Sequence, residues 1–360
     1  MRARPALPRL SPSCAVPVWP HASAPLAALS ARAREPARIV ASAVALILLL
    51  VLALAAALLP ARLARAETLA SSGHRGASPV GPEPVAERHH GGLYRISGRG
   101  RVAYLFGTVH VGAPSFYPMA PEVERALAGA DQVVVELDTG AKGAFLHALD
   151  RHARYARGDD IGRHLAPATM ARLRTALHTE GISVASMSHL KPWLVANLLI
   201  SMQLERQGYR RNDGVEQVML AQARRRGTRI RTLESADLQL GLFDSMSDIE
   251  AERYLLDTLD GLADGSAARR AGRVIEAWRS GKAAERDAAL SEATSGGSET
   301  ADFTRRKLLG QRNPDMASRI DTLMGKGDVL FVGVGYLHLM GENGLPQLLA
   351  QRGYLVERVY

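Results

Sequence analysis

Two histidines of this chain stand three residues after a glycine that closes an apolar run. Gly107-Thr108-Val109-His110 follows RVAYLF, and Gly335-Tyr336-Leu337-His338 follows DVLFVGV. Imidazole titrates near neutral pH and is the commonest ligand of transition metals, and a preceding glycine lets the backbone turn sharply or approach a ligand closely. Two further apolar runs end in acids at the same relative place: VVVELD in Glu136 and Asp138, and IRTLES in Glu234. Two imidazoles with one or two carboxylates match a site for a divalent transition metal such as Mn, Co or Zn. The expected ligands are therefore His110 and His338 with one or both of Glu136 and Glu234, and the general base is Glu136 or Glu234.

Residues so far apart meet only if the runs before them are strands of one sheet, because open parallel sheets collect their chemistry at the carboxyl ends of the strands. The chain supports this. LYRISG and RVAYLF read as two strands. A helix follows in APEVERALAGA, where Pro121 suits a first turn and Glu122 and Glu124 favour the dipole; QVVVEL is the next strand. Strand, helix, strand implies a parallel crossover. From about 140 to 313 the pattern is mostly helical, with RIRTLE at 229–234 as one strand. HLKPWLVANLLISMQL, 189–204, is apolar nearly all round but interrupted by Lys191, Pro192 and Asn197, which predicts a helix buried inside the fold. Asp213 with Glu216, and Ser247 with Glu250, read as capping boxes, and Asn313 with Pro314 as a helix start. Arg312 has no such local role. DVLFVGV, a loop, the helix GLPQLLAQRG and the strand YLVERVY close an α/β fold with a mostly parallel central sheet and a large helical insertion.

The formal charge of +9 belongs to the leader: residues 1–66 hold eight Arg and one Glu, and the rest of the chain is near balance, which argues against nucleic-acid binding. Within the leader, IVASAVALILLLVLALAAALL, 39–59, is uncharged and long enough to cross a bilayer core. It reads as a signal peptide cleaved after Ala66 or as a retained membrane anchor, and either places the body outside the cytoplasm, periplasmic or anchored in the inner membrane. Cys14 is the sole cysteine and lies in this leader, so the body has no thiol nucleophile. Residues 67–92, rich in Gly, Pro and Ser, read as a flexible linker with His89 and His90 on a solvated surface, leaving 93–360 as the folded domain. His147, His152, His164 and His178 lie in helical stretches without strand-end context.

GLYRISGRGRVAYLFGTVHVG, VVVELD, KPWLVANLL, GVEQVMLAQARRRGTRIRTLES, QRNPDMASRI and FVGVGYLHLMGENGLPQLLAQRGYLVERV occur in this order. Together they resemble the landmarks of the TraB/GumN family, which includes the TIKI metalloproteases, over about 92–360. The resemblance implies a fold similar to the erythromycin esterase and ChaN-like group. Its site groups would be the two GxxH histidines His110 and His338, the glutamate Glu136 and the arginine Arg312. Glu216 departs from the family pattern, which has an aspartate in that block. The function expected is an exported metal-dependent hydrolase, plausibly a peptidase acting on a peptide or protein, with Arg312 stabilising the oxyanion. Two alternatives stand beside it: a metal-free hydrolase in which Glu136 orients His110, and a protein that sequesters a peptide or signal without turnover.

Overall fold

A computed structural model describes residues 90–360 apart from Thr139. The apolar run 39–59, the rest of the leader and most of the linker lie outside the described residues. The strands are β1 (Leu93–Gly98), β2 (Arg101–Thr108), β3 (Gln132–Val135), β4 (Arg229–Thr232), β5 (Leu330–Gly335) and β6 (Leu355–Arg358). They form one sheet in the order β4-β3-β5-β2-β1-β6. β4, β3, β5 and β2 are mutually parallel, while β1 runs antiparallel to both β2 and β6. Arg99 (φ 54°) and Gly100 (φ 73°) make the β1–β2 turn in the left-handed region that a two-residue hairpin requires.

The helices are α1 (Pro121–Ala128), α2 (Lys142–His152), α3 (Pro167–Thr179), α4 (Val184–Met187), α5 (Pro192–Arg206), α6 (Val215–Arg226) and α7 (Ala236–Asp244). After them come α8 (Asp248–Ala263), α9 (Ser266–Ser280), α10 (Ala283–Thr294), α11 (Glu299–Phe303), α12 (Arg312–Met324) and α13 (Leu345–Gln351). Proline opens the first turn of α1, α3, α5 and α13, where its missing N–H is no loss and its φ is already helical. Gly227 closes α6 in the left-handed conformation, and Ser247 with Glu250 forms the expected capping box of α8. The helix expected at 189–204 is α5, and Trp193 to Leu199 within it are all buried.

Two apolar cores result. One surrounds the sheet: Val133, Val134 and Val135 of β3 and Phe331 and Val332 of β5 are fully buried, each contributing about 2 kcal/mol on transfer from water. The other lies within the helical insertion, where Phe243 packs its ring 5.0 Å from Trp193 and 4.5 Å from Phe303. Among the described residues, no helix is long and apolar enough to cross a membrane.

Three sequence readings are corrected. Asp213 and Glu216 make no capping box: Gly214 is the N-cap of α6 and no side chain caps it. Asn313 does not start a helix, because α11 runs through a π-helical stretch, Thr304–Gln311, straight into α12. His90 is not freely solvated: its Nδ1 lies 2.6 Å from the Arg279 carbonyl and its ring 5.1 Å from Trp278.

Candidate functional site

The register of the parallel strands brings their carboxyl ends level. Thr108 pairs with Gly335, and Val135 pairs with both Gly333 and Thr232. The β3–β4 pairing then continues past the strands, with Glu234 N–H donating to the Glu136 carbonyl at 2.9 Å. His110, Glu136, Glu234 and His338 accordingly gather at one rim, as the sequence implied.

Glu136 is the centre. Its Oε1 accepts from the Gly335 N–H at 2.6 Å and lies 3.6 Å from His338 Nε2. Its Oε2 accepts from Arg312 Nη2 at 2.5 Å and from Gln239 Nε2 at 3.3 Å. Arg312 also donates through Nε (2.9 Å) and Nη2 (2.6 Å) to Glu234, whose Oε2 accepts from Gln239 Nε2 at 2.7 Å. Arg312 is thus clamped between two carboxylates, and both Glu234 oxygens are engaged. Burial works to raise the Glu136 pKa, but the Arg312 charge above all, then the two imidazoles and the Gly335 N–H, outweigh it and hold the carboxyl at about 2. Glu136 stays charged at any ordinary pH.

Each histidine is backed by its own partner. His110 Nδ1 lies 2.9 Å from Glu216 Oε2, and His338 Nδ1 lies 2.5 Å from Asn313 Oδ1. The partner of His110 is Glu216, not Glu136 as the metal-free reading supposed. Burial pulls the His110 pKa down, but the Glu216 charge and hydrogen bond leave it raised. Burial, aided by Arg312 and His110 against Glu136, drives His338 down to about 3, so its ring is neutral. Burial raises Glu216 in turn, against the pull of His110, and its Oε1 is buried without a hydrogen-bond partner.

The glycines of the two GxxH segments answer to space. A Cβ on Gly107 would sit 2.4 Å from the Gly91 carbonyl oxygen and 2.5 Å from the Tyr336 ring. One on Gly335 would stand among the site groups: 3.2 Å from Glu136 Oε1, 3.5 Å from His338 Cδ2 and 3.9 Å from His110 Nε2.

The rim opens into a cavity of about 210 Å³. His110, Glu136, Arg312 and His338 line one part, and Val111, Leu204, Val274, Ile275 and Leu308 give the rest an apolar wall. Thr304, Leu308 and Leu309 come from the π-helical stretch, so one segment both walls the cavity and delivers Arg312. Wide π turns are frequent at functional sites.

The donor chemistry suits the implied divalent metal. With each Nδ1 engaged, both imidazoles are oriented as metal-ligating histidines are by their backing partners. The 3.6 Å between His338 Nε2 and Glu136 Oε1 is close to the roughly 3.4 Å that two ligands of a tetrahedral ion keep. Among the described residues, no group of three or more His, Cys, Asp and Glu is spaced to hold a metal as it stands. Glu216, Gln239 and Asn313 are the site residues that sequence reasoning missed as such.

The family model of the TraB/PrgY/gumN family matches residues 92–358, and the chain belongs to that family. Among individual proteins it is similar to the uncharacterized protein YbaP of Shigella flexneri, 24% identical over 256 residues that cover 69% of this chain and 88% of that one. YbaP of Escherichia coli (strain K12) is likewise 24% identical, over 253 residues, 68% of this chain and 87% of the relative. No solved structure matches.

Proposed function

We propose that the chain is a hydrolase whose centre is His110, Glu136 and His338. The observation that supports this best is a permanently charged carboxylate, Glu136, 3.6 Å from the backed imidazole of His338, with the backed imidazole of His110 on the wall of the same apolar cavity. His110 Nε2, His338 Nε2 and Glu136 Oε1 would hold a divalent cation, which when bound polarises a scissile carbonyl and lowers the pKa of water. The chain's own residues do the rest. The apolar wall takes up a hydrophobic group of a peptide substrate and excludes water from around it. Glu216 and Asn313 orient the imidazoles. Arg312 keeps Glu136 ionised, and Glu234 with Gln239 holds Arg312 in place. A carboxyl held at about 2 is a poor base near neutral pH, so Glu136 acts as ligand and fixed charge.

One observation favours a metal-free second reading: the raised pKa of His110 on Glu216 suits a general base that takes a proton from water. In either case the uncharged run 39–59 supports a reaction outside the cytoplasm, with that run cleaved or retained as an anchor. The test is metal analysis of the purified protein together with peptide hydrolysis before and after chelation. The metal reading expects His110→Ala and His338→Ala each to lose most of the metal and nearly all turnover, with the double variant little worse, because ligands of one ion act as a unit. Chelation without loss of turnover would leave the metal-free reading; tight peptide binding with no product would sink both.

A further inference from the structure

Arg312 and Asn313 are neighbours in sequence, and the structure divides the site between them: Arg312 holds the carboxylates, Asn313 the imidazole. Asn313 is 1% exposed. Its Nδ2 donates to the Asn343 carbonyl at 2.7 Å, and a carbonyl can only accept. That bond decides which end of the amide is which. Oδ1 is therefore the atom facing His338 Nδ1, 2.5 Å away, and since an amide oxygen can only accept, Nδ1 must carry the proton. The lone pair of His338 is left on Nε2, the nitrogen that faces Glu136.

We propose that Asn313 is the positioning residue of His338, a tautomer lock fixed by the backbone of the loop that follows the histidine. With the opposite tautomer, Nε2 would carry a proton toward Glu136 and could neither ligate a cation nor accept a proton. His110 has a different partner at the same ring nitrogen, Glu216 Oε2 at 2.9 Å. The catalytic consequence of the lock rests on the hydrolase reading above; the tautomer itself does not.

The experiment is a long-range nitrogen–proton correlation spectrum of the full-length protein labelled on histidine nitrogens, with His338 assigned from His338→Gln. The wild-type ring should show Nδ1 protonated and Nε2 bare; a wild-type ring protonated on Nε2 overturns the proposal with no variant needed. Asn313→Ala should let the Nε2-protonated form appear and lower zinc affinity or turnover by about 10- to 100-fold. Asn313→Asp, which keeps an acceptor toward Nδ1, should hold the wild-type tautomer. An Asn313→Ala protein whose His338 keeps a pure Nδ1-protonated ring would make Asn313 a packing residue. Inactivity of a wild type with the expected tautomer would instead count against the hydrolase reading and leave the lock intact.

Discussion

Replacing Arg312 with leucine removes the cation that Glu136 and Glu234 share, and the size of the loss can be reached by two routes. The guanidinium lies 2.5 Å from Glu136 Oε2 and 2.6 Å from Glu234 Oε2, and all three side chains are less than a tenth exposed. Deleting one partner of a buried ion pair costs about 3–5 kcal/mol, because the other charge stays behind without compensation. The second route is protonation. Burial raises the Glu136 pKa; Arg312, then the two histidines and the Gly335 N–H, bring it from 4.5 to about 2. At about 1.4 kcal/mol per pH unit, that difference is about 3 kcal/mol of stability. Its sign follows from the depressed value: the contribution is complete above pH 4.5 and is lost as pH falls toward 2. Denaturant unfolding at pH 7 should therefore find Arg312→Leu less stable by about 3–5 kcal/mol, with the gap narrowing by about 2 kcal/mol at pH 3. Arg312→Lys keeps the charge but not the planar fork, so it should fall between, at about 1–2 kcal/mol. A gap below about 1 kcal/mol at pH 7, or one that does not change with pH, would mean that the triad is not a coupled buried unit.

Two more outcomes are expected. Gly335→Ala places a methyl 3.2 Å from Glu136 Oε1, so it should cut turnover at least roughly tenfold while lowering stability by about 1 kcal/mol or less; a fully active variant would mean that the three groups do not work around this glycine. His164 bonds Asp248 and Asp159 at 3.0 Å each, and the Asp248 hydrogen bond leads in raising its pKa against burial, with Asp159 adding to it. His164→Gln should therefore destabilise the protein most below pH 6.5, and the difference should fade as pH rises through the raised value; turnover should be untouched, and a pH-independent difference would assign His164 to packing.

The sheet and half of the site were legible for one reason: a parallel strand buried on both faces must be a short apolar run, and the residues just past its carboxyl end must lie at the rim. Val133 to Val135 and Leu330 to Val334 announce their strands, so Glu136 and His338 are placed by counting outward. The helix led by Pro121 and the capping box of Ser247 with Glu250 were legible because their signals are local.

The other half of the site hid behind equally good local explanations. Glu216 is an acid in the first turn of α6, where an acid normally favours the helix dipole, and its buried contact with His110 is made across 106 residues. Asn313 stands before a proline, where asparagine commonly caps a helix, yet the π-helical stretch carries the chain past that point without a break and turns its side chain to His338. Gln239 has no signal at all beyond lying five residues after Glu234. Arg312 escaped this ambiguity because a long cation gains nothing from what reads in the sequence as the start of a helix; its presence there needed a distant cause, and two buried carboxylates supply it. The same logic predicts where the residues that orient a site will be hardest to read: at helix starts, where a polar side chain already has a local reason to exist, so that only its burial separates a cap from a partner of the chemistry.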